Sequence, residues 1–155
     1  MSRSGTPALV VNRGEGTVSV LKLGASPVAE IAKVALGKAD TRSRGIDFTP
    51  DGQHLAGVVM NGSNKAKANP FYADKGLLQI WRVDGAGQRP VKVTEAPIGQ
   101  WSQGALFSRD GKTVLAMNMV ENDVQLFSFD GSSLKETARI KLGGGAAAGR
   151  TAGDY

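Results

Sequence analysis

Phe107-Ser-Arg-Asp-Gly-Lys-Thr-Val-Leu-Ala-Met-Asn-Met-Val-Glu-Asn-Asp-Val-Gln-Leu-Phe-Ser-Phe129 is a tight turn leading into two short apolar runs, and a near copy, Phe48-Thr-Pro-Asp-Gly-Gln-His-Leu55, begins earlier in the chain. Asp-Gly between apolar runs is a hairpin signal. Pro50 presets φ, and Asp and Gly are expected to accept the positive φ that a tight turn requires. A sequence that repeats such a hairpin is built from antiparallel strands.

The apolar runs on either side fall in a fixed order. Ala8 to Val11, Thr17 to Leu23 and Val28 to Leu36 come first, the last of them also compatible with a short helix because Ala, Glu and Lys dominate it. Then follow Gly45 to Phe48, His54 to Met60, Leu77 to Val83 and Val91 to Ile98, and the same order recurs as Gly104 to Phe107, Thr113 to Met119, Asp123 to Phe129 and Ala138 to Leu142. Gln79 and Gln125 occupy matching places 46 residues apart (125 − 79), and Ser19 precedes Gln79 by 60 (79 − 19). One insertion of about 13 residues between Met60 and Lys75, laid over a blade-length period, reconciles the spacings. Four antiparallel strands repeated at that period make a propeller blade. Blades pack between neighbours, so Leu77, Leu78, Ile80, Trp81 and Val83 are expected to be covered on both faces of their strand.

Phe-Thr-Pro-Asp-Gly-Gln-His-Leu and Phe-Ser-Arg-Asp-Gly-Lys-Thr-Val, followed by Asn and then Val-Gln-Leu-Phe, resemble the bacterial YVTN and lactonase-like propeller superfamily, whose repeats carry a Ser-Pro-Asp-Gly-Lys core. The resemblance covers Gly45 to Leu142 well and Ala8 to Leu36 loosely, and it marks the hairpin, not a site. No Gly-His or Trp-Asp pair points to a WD-type propeller. The resemblance implies blades that come in sevens, a bacterial origin and an extracytoplasmic location, either periplasmic or secreted.

The expected fold is therefore all-β, with about three blades of four antiparallel strands. Blade 1 is partial, over residues 8–37; blade 2 covers 44–99 with the insertion at 61–75; blade 3 covers 103–143; and residues 144–155 begin a further innermost strand or a tail. Three blades do not close a ring. Three arrangements follow: the C-terminal part of a longer propeller, half of a six-bladed homodimeric ring joined through open blade edges, or an open arc.

Composition narrows function mainly by exclusion. At 155 residues with 41% hydrophobic and 21% charged, the chain suits one globular unit, and its 21 glycines fit many turns. It has no cysteine, which excludes disulfides, cysteine metal sites and a cysteine nucleophile. No run approaches a membrane span and residues 1–8 lack a signal-peptide core. The formal charge of +5 is spread over 19 Lys and Arg, with Lys65, Lys67 and Lys75 the nearest to a cluster, so no nucleic-acid partner is expected.

Alternation of strands puts the Asp-Gly hairpins on one face and the longer connectors on the other, around the central channel. Arg44, Gln103 and Arg150 fall in matching connector positions, with Arg42 and Trp101 two residues earlier. The guanidinium forks of Arg44 and Arg150 suit a carboxylate or phosphate, and Trp101 a ring. Phe71 and Tyr72, in the insertion, are candidates for a lid over the channel. These seven residues are the candidate ligand-binding set, for an unknown small molecule or a protein; no catalytic residue, metal ligand or cofactor is assigned.

His54, the single histidine, starts a strand on the hairpin face and is expected at a solvent edge. Gly144 to Thr151 copies P-loop spacing, yet Arg150 stands where the lysine belongs, and too little follows for a helix. The reading that results is a non-catalytic binding or scaffold module. The alternative, which the resemblance implies, is hydrolysis of a sugar lactone.

Overall fold

A computed structural model describes residues 8–24, 26–36, 43–83 and 89–149. All regular structure among them is strand, in three antiparallel sheets. The first holds β1 (Ala8–Asn12), β2 (Thr17–Lys22) and β3 (Ala29–Ala35); Val28 to Leu36 is thus strand and not helix. The second is ordered β4 (Ser43–Phe48), β5 (His54–Val59), β6 (Gly76–Arg82), β7 (Val91–Ile98). The third is ordered β8 (Gly104–Phe107), β9 (Thr113–Asn118), β10 (Asp123–Phe129), β11 (Leu134–Lys141). These are propeller blades, and β4 and β8, in contact with each other, are the innermost strands.

The middle blade is apolar on both faces. From β5 and β6, Ala56, Val58, Leu78 and Ile80 pack with Phe107, Val114, Phe127 and Phe129 of the third sheet. The alternate residues Leu55, Val59, Trp81 and, more loosely, Leu77 pack with Val18, Val34 and Leu36 of the first. Burying a strand on both sides is what a stack of sheets demands, and it removes the polar-out positions that a one-sided sheet would keep.

The repeat extends to a backbone irregularity. Between the third and fourth strands of each blade the register shifts at one place: Val20/Leu21, Ile80/Trp81 and Leu126/Phe127. Each lies directly after Ser19, Gln79 or Gln125, the residues that set the sequence spacing.

Two expectations need correction. The turn aspartates do not adopt positive φ; only Gly52 and Gly111 do, at 73° and 69°. Asp51 and Asp110 serve as side-chain acceptors. Thr49 donates its hydroxyl to Asp51 at 2.6 Å while accepting the His54 N–H at 2.9 Å, and Ser108 repeats this with Asp110 and Thr113. The repeated motif is thus a hydroxyl, one spacer, Asp and Gly. In addition, β11 starts at Leu134 and not Ala138, because Asp130 accepts from the N–H and hydroxyl groups of Ser132 and Ser133 and closes the turn early.

Candidate functional site: the connector face

The link from β7 to β8 carries Gly99 to Gln103 across the face opposite the Asp-Gly turns. It is fastened by the β9–β10 turn of the blade it enters. Gly99 N–H donates to Asn118 Oδ1 and Gln125 Oε1, both at 2.9 Å, and Gln100 N–H donates to both oxygens of Glu121 at 2.9 Å. Asn118 in turn donates to Asp123 and Gln125 at 2.8 Å, and the Ser102 hydroxyl donates to Asn118 Oδ1 at 2.8 Å. A Cβ at position 99 would come within 2.5 Å of Asn118 and Glu121, so only glycine allows this approach.

Asp123 is fully buried, with Lys141 Nζ at 3.4 Å and Arg139 Nη1 at 3.6 Å from Oδ2. The first blade repeats the same clasp in miniature: Asn12 donates to Thr17 at 3.1 Å and Ser19 at 2.6 Å. In the second blade, which carries the insertion, the corresponding cross-strand pair is apolar, Val59 opposite Leu77. Sequence reasoning missed this clasp, although Asn12, Thr17 and Ser19 precede Asn118, Asp123 and Gln125 by one constant interval and so signalled it.

Five of the seven candidate residues lie among those described; Arg42 and Arg150 lie outside them. Arg44 and Gln103 are brought together, since Gly45 N–H donates to the Gln103 carbonyl at 3.2 Å across β4 and β8. The Gln103 amide donates to the Trp101 carbonyl at 3.1 Å. Trp101 has φ of 54° and stands 40% exposed, its backbone N–H donated to Ser63 Oγ at 3.2 Å, so it is presented on the face and not wedged between blades. Met119 and Val120, beside the Gln100 carbonyl that accepts the Val120 N–H, extend the apolar surface.

Phe71 and Tyr72 do not sit over the inner strands. They line a cleft of about 450 Å³ with Leu36, Leu77, Gln79 and Glu95, which places them toward the outer strands β6 and β7. The insertion is a folded series of turns: Ser63, Lys65, Asn69 and Tyr72 each donate an N–H three residues back, and Asn61 bonds the Lys75 carbonyl at 3.2 Å. Lys65 Nζ lies 5.9 Å from the centre of the exposed Phe71 ring, within cation–π range.

On the hairpin face a larger cavity, about 730 Å³, lies between the second and third blades, with His54, Pro50, Arg109, Lys112 and Phe129 in its wall. His54 is half-buried, not at a solvent edge, because Phe129 of the third blade covers it edge-on with ring centres 5.1 Å apart. That burial pushes its pKa below the ordinary value, with Arg82 adding to the effect and Asp51 opposing it. Hydrogen bonds within their own turns hold the carboxyls of Asp51, Asp110 and Asp130 below the usual carboxylate range. No cluster of metal-ligating residues occurs among the described residues.

No protein-family model matches the sequence, and neither does any curated protein. Solved structures do match. A candidate 6-phosphogluconolactonase of Bacteroides fragilis superposes with a TM-score of 0.75 at 25% identity, over 92% of this chain and 38% of its own. A second such protein, from Bacteroides uniformis, gives 0.77 at 18% identity, over 92% and 39%. The β-propeller domain of Cps50 (Swd1) from Myceliophteria thermophila gives 0.65 at 12% identity, over 92% and 42%. The chain has a propeller-type fold and spans about two fifths of the length of these structures.

Proposed function

We propose that the chain is a recognition module, a set of blades from a ring of the YVTN and lactonase-like kind, that binds a small molecule or a protein at its connector face without catalysing a reaction. The observation that carries this reading is how the two carboxylates around the β9–β10 turn are engaged. Both oxygens of Glu121 hold the Gln100 N–H, and Asp123 is buried under Lys141 and Arg139. Rings stay exposed instead: Trp101 at 40% and Phe71 at 59%. Arg44, in β4, and Gln103, which directly precedes β8 and bonds the Trp101 carbonyl, add polar groups suited to a carboxylate or phosphate ligand. Where the remaining blades of the ring come from does not alter which face binds.

The alternative, opening of a sugar lactone, takes its support from the names of the two Bacteroides proteins. Water attacking a lactone needs a base to take its proton, and Glu121 and Asp123 are already holding other groups. Two measurements separate the readings. With 6-phosphogluconate as probe, Trp101 fluorescence should change saturably, and Arg44→Ala should weaken the response; Trp81, buried, supplies a constant background. With 6-phosphogluconolactone, hydrolysis should stay at the uncatalysed rate. Accelerated hydrolysis that Arg44→Ala abolishes would replace the binding reading with the enzymatic one.

A further inference from the structure

The second and third blades carry a glutamine at the same place and bond it differently. Gln125 donates its amide N–H to Glu136 at 3.0 Å, and its oxygen accepts the Gly99 N–H at 2.9 Å and the Asn118 amide at 2.8 Å. Gln79 likewise donates to a glutamate of the outer strand beside it, Glu95, at 3.1 Å. Lys92, bonded to Glu95 at 2.8 Å, keeps that carboxyl ionised. An ionised carboxylate only accepts, so the bond fixes which end of the Gln79 amide faces Glu95 and turns the oxygen elsewhere. In the second blade the slot of Asn118 is filled by Val59, which has nothing to donate. Gln79 is 3% exposed, and among the described residues its oxygen has no hydrogen-bond partner. A buried acceptor in this state costs the fold and asks for a donor from elsewhere.

Gln79 belongs to the wall of the cleft of about 450 Å³ beneath the insertion, a volume inside the range of about 300–1,000 Å³ common to small-molecule pockets. Apart from Gln79, Glu95 and Lys92 the wall is mostly apolar, with Leu36 and Leu77 from the blades and Phe71 and Tyr72 from the insertion. Rings and aliphatic side chains gathered in one cleft suit a flat, apolar guest. Lys65, over the Phe71 ring, and Lys92, on Glu95, put positive charge beside it and disfavour an organic cation. The insertion side of the wall is built from single hydrogen-bonded turns, and Phe71 is 59% exposed, so its ring can swing aside for a guest to reach the shielded oxygen.

The geometry points to a second binding site, between the insertion and the outer strands of the second blade, for an uncharged aromatic molecule with an N–H or O–H donor, of the indole or phenol kind. The ring packs among Phe71, Tyr72 and Leu77, and the donor completes the bonding of Gln79. The site shares no residue with Arg44, Gln103 and Trp101 and does not rest on what they bind.

Isothermal titration of the full chain with indole tests it, with 1-methylindole, the same ring without its N–H, as the control. Indole is expected to bind saturably with a Kd below about 1 mM, and 1-methylindole about tenfold more weakly. Gln79→Met keeps the length of the side chain and removes the acceptor, so it should bind the two rings alike at the weaker affinity, while Arg44→Ala leaves the preference for indole unchanged. Urea unfolding checks the premise without ligand: Gln125→Met, which loses two buried bonds at its oxygen, should lower the midpoint more than Gln79→Met. The inference is overturned by no saturable binding of indole, by equal affinities for the two rings in the unaltered chain, by a preference that survives Gln79→Met, or by midpoints that fall equally in the two glutamine variants.

Discussion

Glu121, in the turn between β9 and β10, grips the backbone N–H of Gln100 with both carboxylate oxygens at 2.9 Å, so the third blade fastens the very link by which the chain reaches it. A charge-assisted bond of this kind, half out of water, is worth about 1–2 kcal/mol. Glu121→Ala should lower stability by that amount in urea unfolding, and Glu121→Gln, which keeps one acceptor, by less. Trp101, the next residue along the link, should report the loosening as a change in native-state fluorescence. An unchanged midpoint in both variants would show the grip to be incidental.

The buried clasp behind it makes a sharper prediction. Asn118 satisfies Gly99, Ser102, Asp123 and Gln125 at once, so Asn118→Val strands several buried polar groups and should cost about 2–4 kcal/mol. Yet the second blade holds Val59 opposite Leu77 at the same two positions. Adding Asp123→Leu to Asn118→Val should therefore cost less than the two single changes summed. A double-mutant cycle in urea measures this, and strict additivity would sink the idea that the blades interchange a polar and an apolar pair here.

The blade pattern was legible because it is periodic: Ser19, Gln79 and Gln125 carry the spacing, and the structure puts a register shift directly after each. Sheet order follows from short turns, which leave antiparallel neighbours as the only route. What sequence did not disclose is cooperative. Asp51 and Asp110 look like conformational punctuation until the hydroxyls of Thr49 and Ser108 are seen to bond them. Glu121 reads as one polar turn residue among others, since its partner is the backbone of Gln100, and a backbone N–H has no sequence signature. Phe71 and Tyr72 were placed by topology alone, and the turns that swing them outward depend on Gly62 accepting a φ of 85°.

That glycine is testable. A Cβ on Gly62 would stand 1.9 Å from the Phe71 carbonyl oxygen, and a left-handed φ adds roughly 1 kcal/mol of its own for a non-glycine residue. Gly62→Ala should therefore unpack the insertion while leaving the blades intact. Amide exchange over residues 61–75 should accelerate, with β5 and β6 still protected. Rapid exchange spreading into those strands would mean that the insertion supports the sheet.

The aspartates of the hairpin turns set the acid limit. Hydrogen bonds from Thr49, Ser108 and Ser133 are the largest of the effects holding Asp51, Asp110 and Asp130 below their ordinary 3.8. Such carboxylates contribute stability that is complete above the unfolded value and disappears as pH falls beneath it. Urea midpoints should be flat near neutrality and drop below about pH 4. Replacing all three with Asn should lower the plateau and flatten the drop; an equally steep drop would assign the acid limit elsewhere.

His54 works in a higher window. Contact with Phe129 keeps its ring out of water, which disfavours the charged form and lowers its pKa from 6.5, against the pull of Asp51. In the unfolded chain the ring takes up a proton near 6.5, whereas in the fold it waits for a lower pH. Stability from the neutral ring is therefore complete above 6.5 and is lost as pH falls through that value toward the folded pKa. With a single histidine in the chain, ring nitrogen shifts in NMR give its titration without assignment, and the midpoint should fall below 6.5. His54→Phe keeps an aromatic edge on Phe129 and removes the proton site, so its stability should hardly vary between about pH 7.5 and 5.5, roughly one unit either side of the unfolded value. A midpoint at or above 6.5 would mean that Phe129 does not close over the ring in solution.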